Sequence, residues 1–84
     1  GAVWLDVRLP SEFSNGSLPG SINLPLFFLR KKADEINNER RYIMVCDTGR
    51  RSASAAYLLA ERGFDVYVLE GGLNAIPADV NTGL

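Results

Sequence analysis

Tyr42-Ile43-Met44-Val45-Cys46-Asp47-Thr48-Gly49-Arg50-Arg51-Ser52 is the stretch whose reading decides the fold. Four consecutive apolar residues mark a strand covered on both faces, which places it near the centre of a parallel sheet. The run ends in the only cysteine, a turn with Gly49 follows, and Ser52 to Arg62 has the composition of a helix closed by Gly63. Strand, tight loop and helix put Cys46 at the carboxyl end of a strand, where open α/β sheets bind ligands.

A thiol at that junction faces unpaired backbone N–H groups and the positive end of the helix dipole. Both favour the thiolate, and Arg50 and Arg51 add two cations close by in sequence. The loop is short enough for its amides to curl around the sulfur as a nest for a small anionic group. A lone cysteine after an apolar run is ordinarily a buried small hydrophobe. The polar turn and the arginine pair are what such a residue would not require. The combination describes a nucleophile with its own anion cradle.

Cys46-Asp47-Thr48-Gly49-Arg50-Arg51-Ser52 resembles the Cys-x-x-Gly-x-Arg-Ser loop of the rhodanese-like family. Trp4-Leu5-Asp6-Val7-Arg8 with Glu12-Phe13 is similar to the family's Asp-Val-Arg-x-x-x-Glu-Phe segment. Leu18-Pro19-Gly20-Ser21-Ile22-Asn23-Leu24-Pro25 resembles its Ile-Pro-Gly-Ala-Ile-Asn-Ile-Pro, and Val66 to Gly72 resembles its late strand and double glycine. The four matches run in order from about Trp4 to Ile76.

The resemblance implies a three-layer α/β sandwich with a central parallel sheet and helices on both faces. It also implies a thiosulfate sulfurtransferase, in which Cys46 takes a sulfane sulfur from thiosulfate or a persulfide, becomes a persulfide, and passes the sulfur to cyanide or a thiol. On that reading Cys46 is the nucleophile, the backbone N–H groups of Asp47, Thr48, Gly49, Arg50 and Arg51 hold the persulfide, and Arg51 matches the family's loop arginine. The alternative is a non-catalytic or redox-sensing regulatory module of a larger protein that retains the same loop. Cysteine-dependent phosphatases place five residues between Cys and Arg, whereas four separate Cys46 from Arg51 here and Ser52 stands where their arginine would be. The smaller ring suits one sulfur atom better than a tetrahedral phosphate.

Eighty-four residues allow one domain, 1–84, and a hydrophobic content of 46% argues against disorder. Nine basic and ten acidic residues give a net charge of −1, without the basic surface that nucleic-acid binding needs. No apolar run approaches the ~20 residues of a membrane span, and no signal peptide is visible. One cysteine excludes an intrachain disulfide, and the absence of histidine excludes a Cys-His dyad and argues against zinc. No cofactor is expected. The partners expected are a small sulfur donor and a thiol or cyanide acceptor, with no nucleic acid and no membrane. The expected location is cytoplasmic, or periplasmic if a leader was removed. Gly1 is an unusual natural start, and the resemblance implies a further strand and helix before it, together with a covalent partner domain upstream if the chain was excised. Ser17 stands where many family members carry histidine.

Outward from the loop, Val3 to Val7 reads as a first strand, and Pro10-Ser11-Glu12-Phe13 as a short helical turn. Arg8 is expected to pair with Glu12, four residues on, and Asp6 to brace neighbouring backbone. Ser21 to Leu24 reads as a short strand. Apolar residues at 26, 29, 33 and 36 then predict a helix after Pro25, with Phe27 and Phe28 in the core and Arg30-Lys31-Lys32 solvated. The helix after the loop is expected to bury 53, 56, 57 and 60. Val66 to Leu69 forms a fourth strand. The double glycine at 71 and 72 has two readings, amides brought near the loop or a tight turn alone. Pro77 onward carries no functional signal and is expected to fray.

Overall fold

A computed structural model describes residues 1–76; the reading of Pro77 onward lies outside the described residues. Four strands form one parallel sheet: β1 (Ala2–Asp6), β2 (Ile22–Asn23), β3 (Arg41–Val45) and β4 (Asp65–Val68). They are joined by α1 (Pro10–Ser14), α2 (Leu26–Lys32) and α3 (Arg50–Ala60), with 3₁₀ turns at Ala33–Glu35 and Leu73–Ala75. Among the described residues no helix is long and apolar enough to cross a membrane.

The strand order is β2-β1-β3-β4, so the apolar run at 42–45 lies inside the sheet with a neighbour on each side. From β1 the chain steps one way to β2 and then across to β3. That reversal opens a crevice at the carboxyl ends of β1 and β3. Asp6 stands opposite Val45 at the ends of the two strands, and the Val7 N–H donates to the Val45 carbonyl at 2.9 Å. Cys46 follows immediately at the mouth of this crevice.

The period of two sorts β3 between two apolar clusters. Tyr42, Met44 and Cys46 join Leu5, Leu29, Ala55 and Leu59 under α2 and α3. Val45 joins a smaller cluster with Leu18 and with Leu73 of the second 3₁₀ turn. The larger cluster anchors the base of the loop, because Leu29, Met44, Cys46, Ala55 and Leu59 are all fully buried.

The expected elements are present, with shifted ends. β1 begins at Ala2 and stops at Asp6, β2 is confined to Ile22–Asn23, and β4 begins at Asp65. The helix after Pro25 ends at Lys32 and tightens into the 3₁₀ turn. Asn37 then turns the chain toward β3, its side chain accepting from the Glu39 N–H and its carbonyl from the Tyr42 hydroxyl, both at 2.8 Å. Phe27 and Phe28 are not core residues: they are 64% and 42% exposed, with ring centroids 4.3 Å apart. At 100° per residue, the inward stripe through half-buried Leu26 and buried Leu29 and Ala33 leaves positions 27 and 28 pointing away from the sheet.

The buried stripe of α3 also differs from expectation. Ser52, Ala55 and Leu59 are buried, whereas Ala53, Tyr57 and Ala60 are exposed. Alanines occur all round this helix, so apolarity alone does not set its phase. The inward face runs from Ser52, turned against the sulfur at the N-terminus, to Leu59 in the core.

Candidate active site

Gly49 is the N-cap of α3, with φ of +97°, and lacks a side chain to cap the helix. Cys46 Sγ takes that place. It accepts from the Gly49 N–H at 3.0 Å and the Ser52 N–H at 3.3 Å, and Ser52 Oγ lies 3.2 Å from it. Ser52 is the third residue of the helix, a position whose orphan N–H is ordinarily met by a capping side chain. The cysteine is wholly buried, yet its sulfur is surrounded by donors. Burial raises the pKa of the thiol, but hydrogen bonds from the Ser52 hydroxyl and from the Ser52, Gly49 and Arg51 amides outweigh it and leave the pKa below the ordinary thiol value.

The arginine charges are placed differently from the sequence expectation. Arg51 does not reach into the ring. Its Nη1 and Nη2 donate to Glu12 Oε1 and Oε2 at 2.6 and 2.9 Å, and Nη2 lies 3.1 Å from Asp47 Oδ1. The hydrogen bond from Arg51 holds the Glu12 carboxyl at a pKa of about 2, helped by the Leu9 N–H, and the same guanidinium lowers the pKa of Asp47. Arg51 therefore ties α1 to the loop. The expected Arg8–Glu12 pair is absent. Arg8 is buried on Asp6, Nη2 to Oδ2 at 2.7 Å, and also donates to the Gly16 carbonyl at 2.7 Å. Asp6 braces backbone as expected, accepting from the Arg8 N–H at 3.0 Å.

Of the other loop residues, Thr48 is exposed and its N–H donates to Asp47 Oδ1 at 2.8 Å instead of to the sulfur. Arg50 is exposed at the first position of α3 and forms no ion pair among the described residues. Ser52 was not among the expected site residues. Its signal lay in its position three residues into the helix, where a short polar side chain can turn back toward the cap.

The second reading of the double glycine is excluded as a full account. The Leu73 and Asn74 N–H groups donate to the Cys46 and Asp47 carbonyls at 2.8 and 2.9 Å, clamping the loop from outside. A Cβ on Gly72 would lie 2.6 Å from the Cys46 carbonyl oxygen and closer still to that of Asp47. Among the described residues no three His, Cys, Asp or Glu side chains are grouped to hold a metal ion.

The sequence profile of the rhodanese-like domain matches residues 1–79. The chain belongs to the rhodanese-like domain family. This rhodanese-like domain is 36% identical over 72 residues to the uncharacterized protein YqhL of Bacillus subtilis, covering 84% of this chain and 57% of that protein. It is 38% identical over 72 residues to the thiosulfate sulfurtransferase GlpE of Shewanella oneidensis, covering 84% of this chain and 71% of GlpE. The crystal structure of a rhodanese-related protein from Thermoplasma volcanium superposes with a TM-score of 0.83 at 34% identity, covering 90% of this chain and 81% of the other. The chain thus spans little more than half the length of YqhL, and proteins named thiosulfate sulfurtransferase are among its sequence relatives.

Proposed function

We propose that this rhodanese-like domain is a sulfurtransferase that moves a sulfane sulfur from thiosulfate or a persulfide donor to a thiophilic acceptor through a persulfide on Cys46. The observation that carries the reading is the convergence of the Gly49 and Ser52 amides and the Ser52 hydroxyl on one sulfur atom at a helix N-terminus. Those donors favour the thiolate, the form that attacks the sulfane sulfur. The S–S bond of the donor breaks as the bond to Sγ forms, and the leaving group departs with the electron pair, as sulfite or a thiolate. Attack by cyanide or an acceptor thiolate on the outer sulfur returns the Cys46 thiolate. The tie of Arg51 to Glu12 and Asp47 also weighs against phosphate chemistry, because that guanidinium is turned away from the ring.

Thiocyanate formation from thiosulfate and cyanide tests the proposal. The intact chain is expected to turn over and Cys46→Ala to be inactive, and thiosulfate alone should add one sulfur atom to the intact chain by mass spectrometry. Equal rates for the two proteins would reject Cys46 as the nucleophile. If no thiosulfate or persulfide donor loads Cys46, the regulatory-module reading replaces the enzyme.

A further inference from the structure

The guanidinium groups of Arg8 and Arg51 are committed to carboxylates. Arg51 is shared by Glu12 and Asp47, and Arg8 is neutralised by Asp6. Glu70 adds a third carboxylate. It is exposed, and it adjoins Gly71, whose nitrogen lies 3.6 Å from where a Cβ on Gly49 would stand. Among the charged residues on the loop and on the segments that touch it, Glu12, Asp47 and Glu70 thus outnumber Arg50 and Arg51 by one charge, before the thiolate is counted. Exposed apolar side chains stand on the segments that flank the crevice. Exposed Leu9 donates its N–H to the Glu12 oxygen that also receives Arg51. Exposed Phe27 and Phe28 begin α2 beside Leu26, whose N–H donates to the Val7 carbonyl at the end of β1.

We infer that the donor suited to this site is an alkyl persulfide, with at most one negative charge and an apolar substituent, in preference to the thiosulfate dianion. This rests on the sulfurtransferase reading and narrows its substrate class. In the step, the Cys46 thiolate attacks the terminal sulfur of R–S–SH. The Sγ–S bond forms, the R–S bond partner leaves as RS⁻ with the electron pair of the broken S–S bond, and the proton remains on the transferred sulfur. No external oxidant or reductant is required. An approaching anion meets a net negative mouth, and each unit charge about 7 Å away in water changes the encounter of a monoanion about two- to threefold and that of a dianion by the square of that factor.

Two measurements on the intact chain test the inference, with thiosulfate and 2-hydroxyethyl persulfide as donors. First, kcat/KM for thiosulfate is expected to rise with added potassium chloride, because salt screens repulsion, and to rise more steeply than for the persulfide. A fall with salt, or no dependence, overturns the inference and restores an arginine cradle. Second, Glu70→Gln and Asp47→Asn are each expected to raise thiosulfate kcat/KM about four- to ninefold at low salt, and by a larger factor than they raise that for the persulfide. Asparagine retains the acceptor for the Thr48 N–H, and Glu70 makes no ion pair among the described residues, so Glu70→Gln carries the test if Asp47→Asn disturbs the loop. Unchanged or reduced thiosulfate use in Glu70→Gln overturns the inference. Failure of both donors to load Cys46 sinks the sulfurtransferase reading itself, an outcome separate from either of these.

Discussion

Ser52 supplies two of the hydrogen bonds to Cys46 Sγ, one from its amide and one through its hydroxyl, and it is itself fully buried. The amide is fixed by the helix and survives any side-chain substitution other than proline. The hydroxyl can be removed alone. Because a hydrogen bond to a charged group is stronger than one to a neutral group, Ser52→Ala weakens the thiolate more than the thiol. The rate of alkylation by iodoacetamide at pH 7 is expected to fall about three- to tenfold, and its pH midpoint to move upward. An unmoved midpoint would mean that the amides alone hold the charge. Thr in place of Ser retains the hydroxyl, and is expected to recover most of the reactivity if the buried site admits its methyl group.

The loop joins β3 to α3 and is held from two directions, by its own glycine cap and by the 3₁₀ turn at Leu73–Ala75. Gly49 has φ of +97°, but a Cβ there would meet its nearest neighbours only at 3.6 to 3.8 Å. Gly72 has φ of +68°, and a Cβ there would penetrate the backbone of Cys46 and Asp47. Gly49→Ala therefore pays backbone strain alone, about 1–2 kcal/mol, whereas Gly72→Ala adds a clash with backbone that cannot rotate away and is expected to cost about 3 kcal/mol or more. Urea unfolding of the two variants gives the comparison, and equal losses would contradict the clamp. These glycines also mark how far the sequence could be read. The strand, loop and helix were legible because Tyr42 to Val45 is continuously apolar and a polar turn with Gly49 follows it. Local pattern does not carry contacts between distant segments: Glu12 lies 39 residues from Arg51, so the nearer Arg8 looked the natural partner. The orientation of α3 was hidden for a related reason. Its alanines are interchangeable by hydropathy, and the inward face is marked by Leu59 in the core and by the contact of Ser52 with the sulfur.

For the molecule as a whole, the Glu12–Arg51 pair is a link between the segment that follows β1 and the segment that follows β3, on either side of the point where the chain reverses direction. Its dependence on pH follows from the Glu12 carboxyl, whose pKa falls from 4.5 to about 2 on folding because Arg51 and the Leu9 N–H bind its charged form. A carboxyl with a depressed native pKa stabilises the fold fully above its unfolded value, and that contribution is lost as the pH falls from about 4.5 toward 2. Asp47 is lowered by the same guanidinium and acts in the same direction. Both side chains are partly exposed, so the link contributes on the order of 1 kcal/mol, less in high salt. Glu12→Gln is expected to be less stable than the parent at pH 7 and to close that gap as the pH is lowered through this window, read by urea denaturation at several pH values. A constant difference from pH 7 to pH 2.5 would mean that the carboxyl does not titrate with folding. The larger cluster around Leu5, Leu29, Met44 and Leu59 contains no carboxyl group. Leu59→Ala, expected to cost about 2–5 kcal/mol, should therefore lower the stability curve by a similar amount at every pH without changing its slope. Shape separates the two kinds of variant: loss of the ion-pair link alters the pH dependence, and loss of core packing alters only the height.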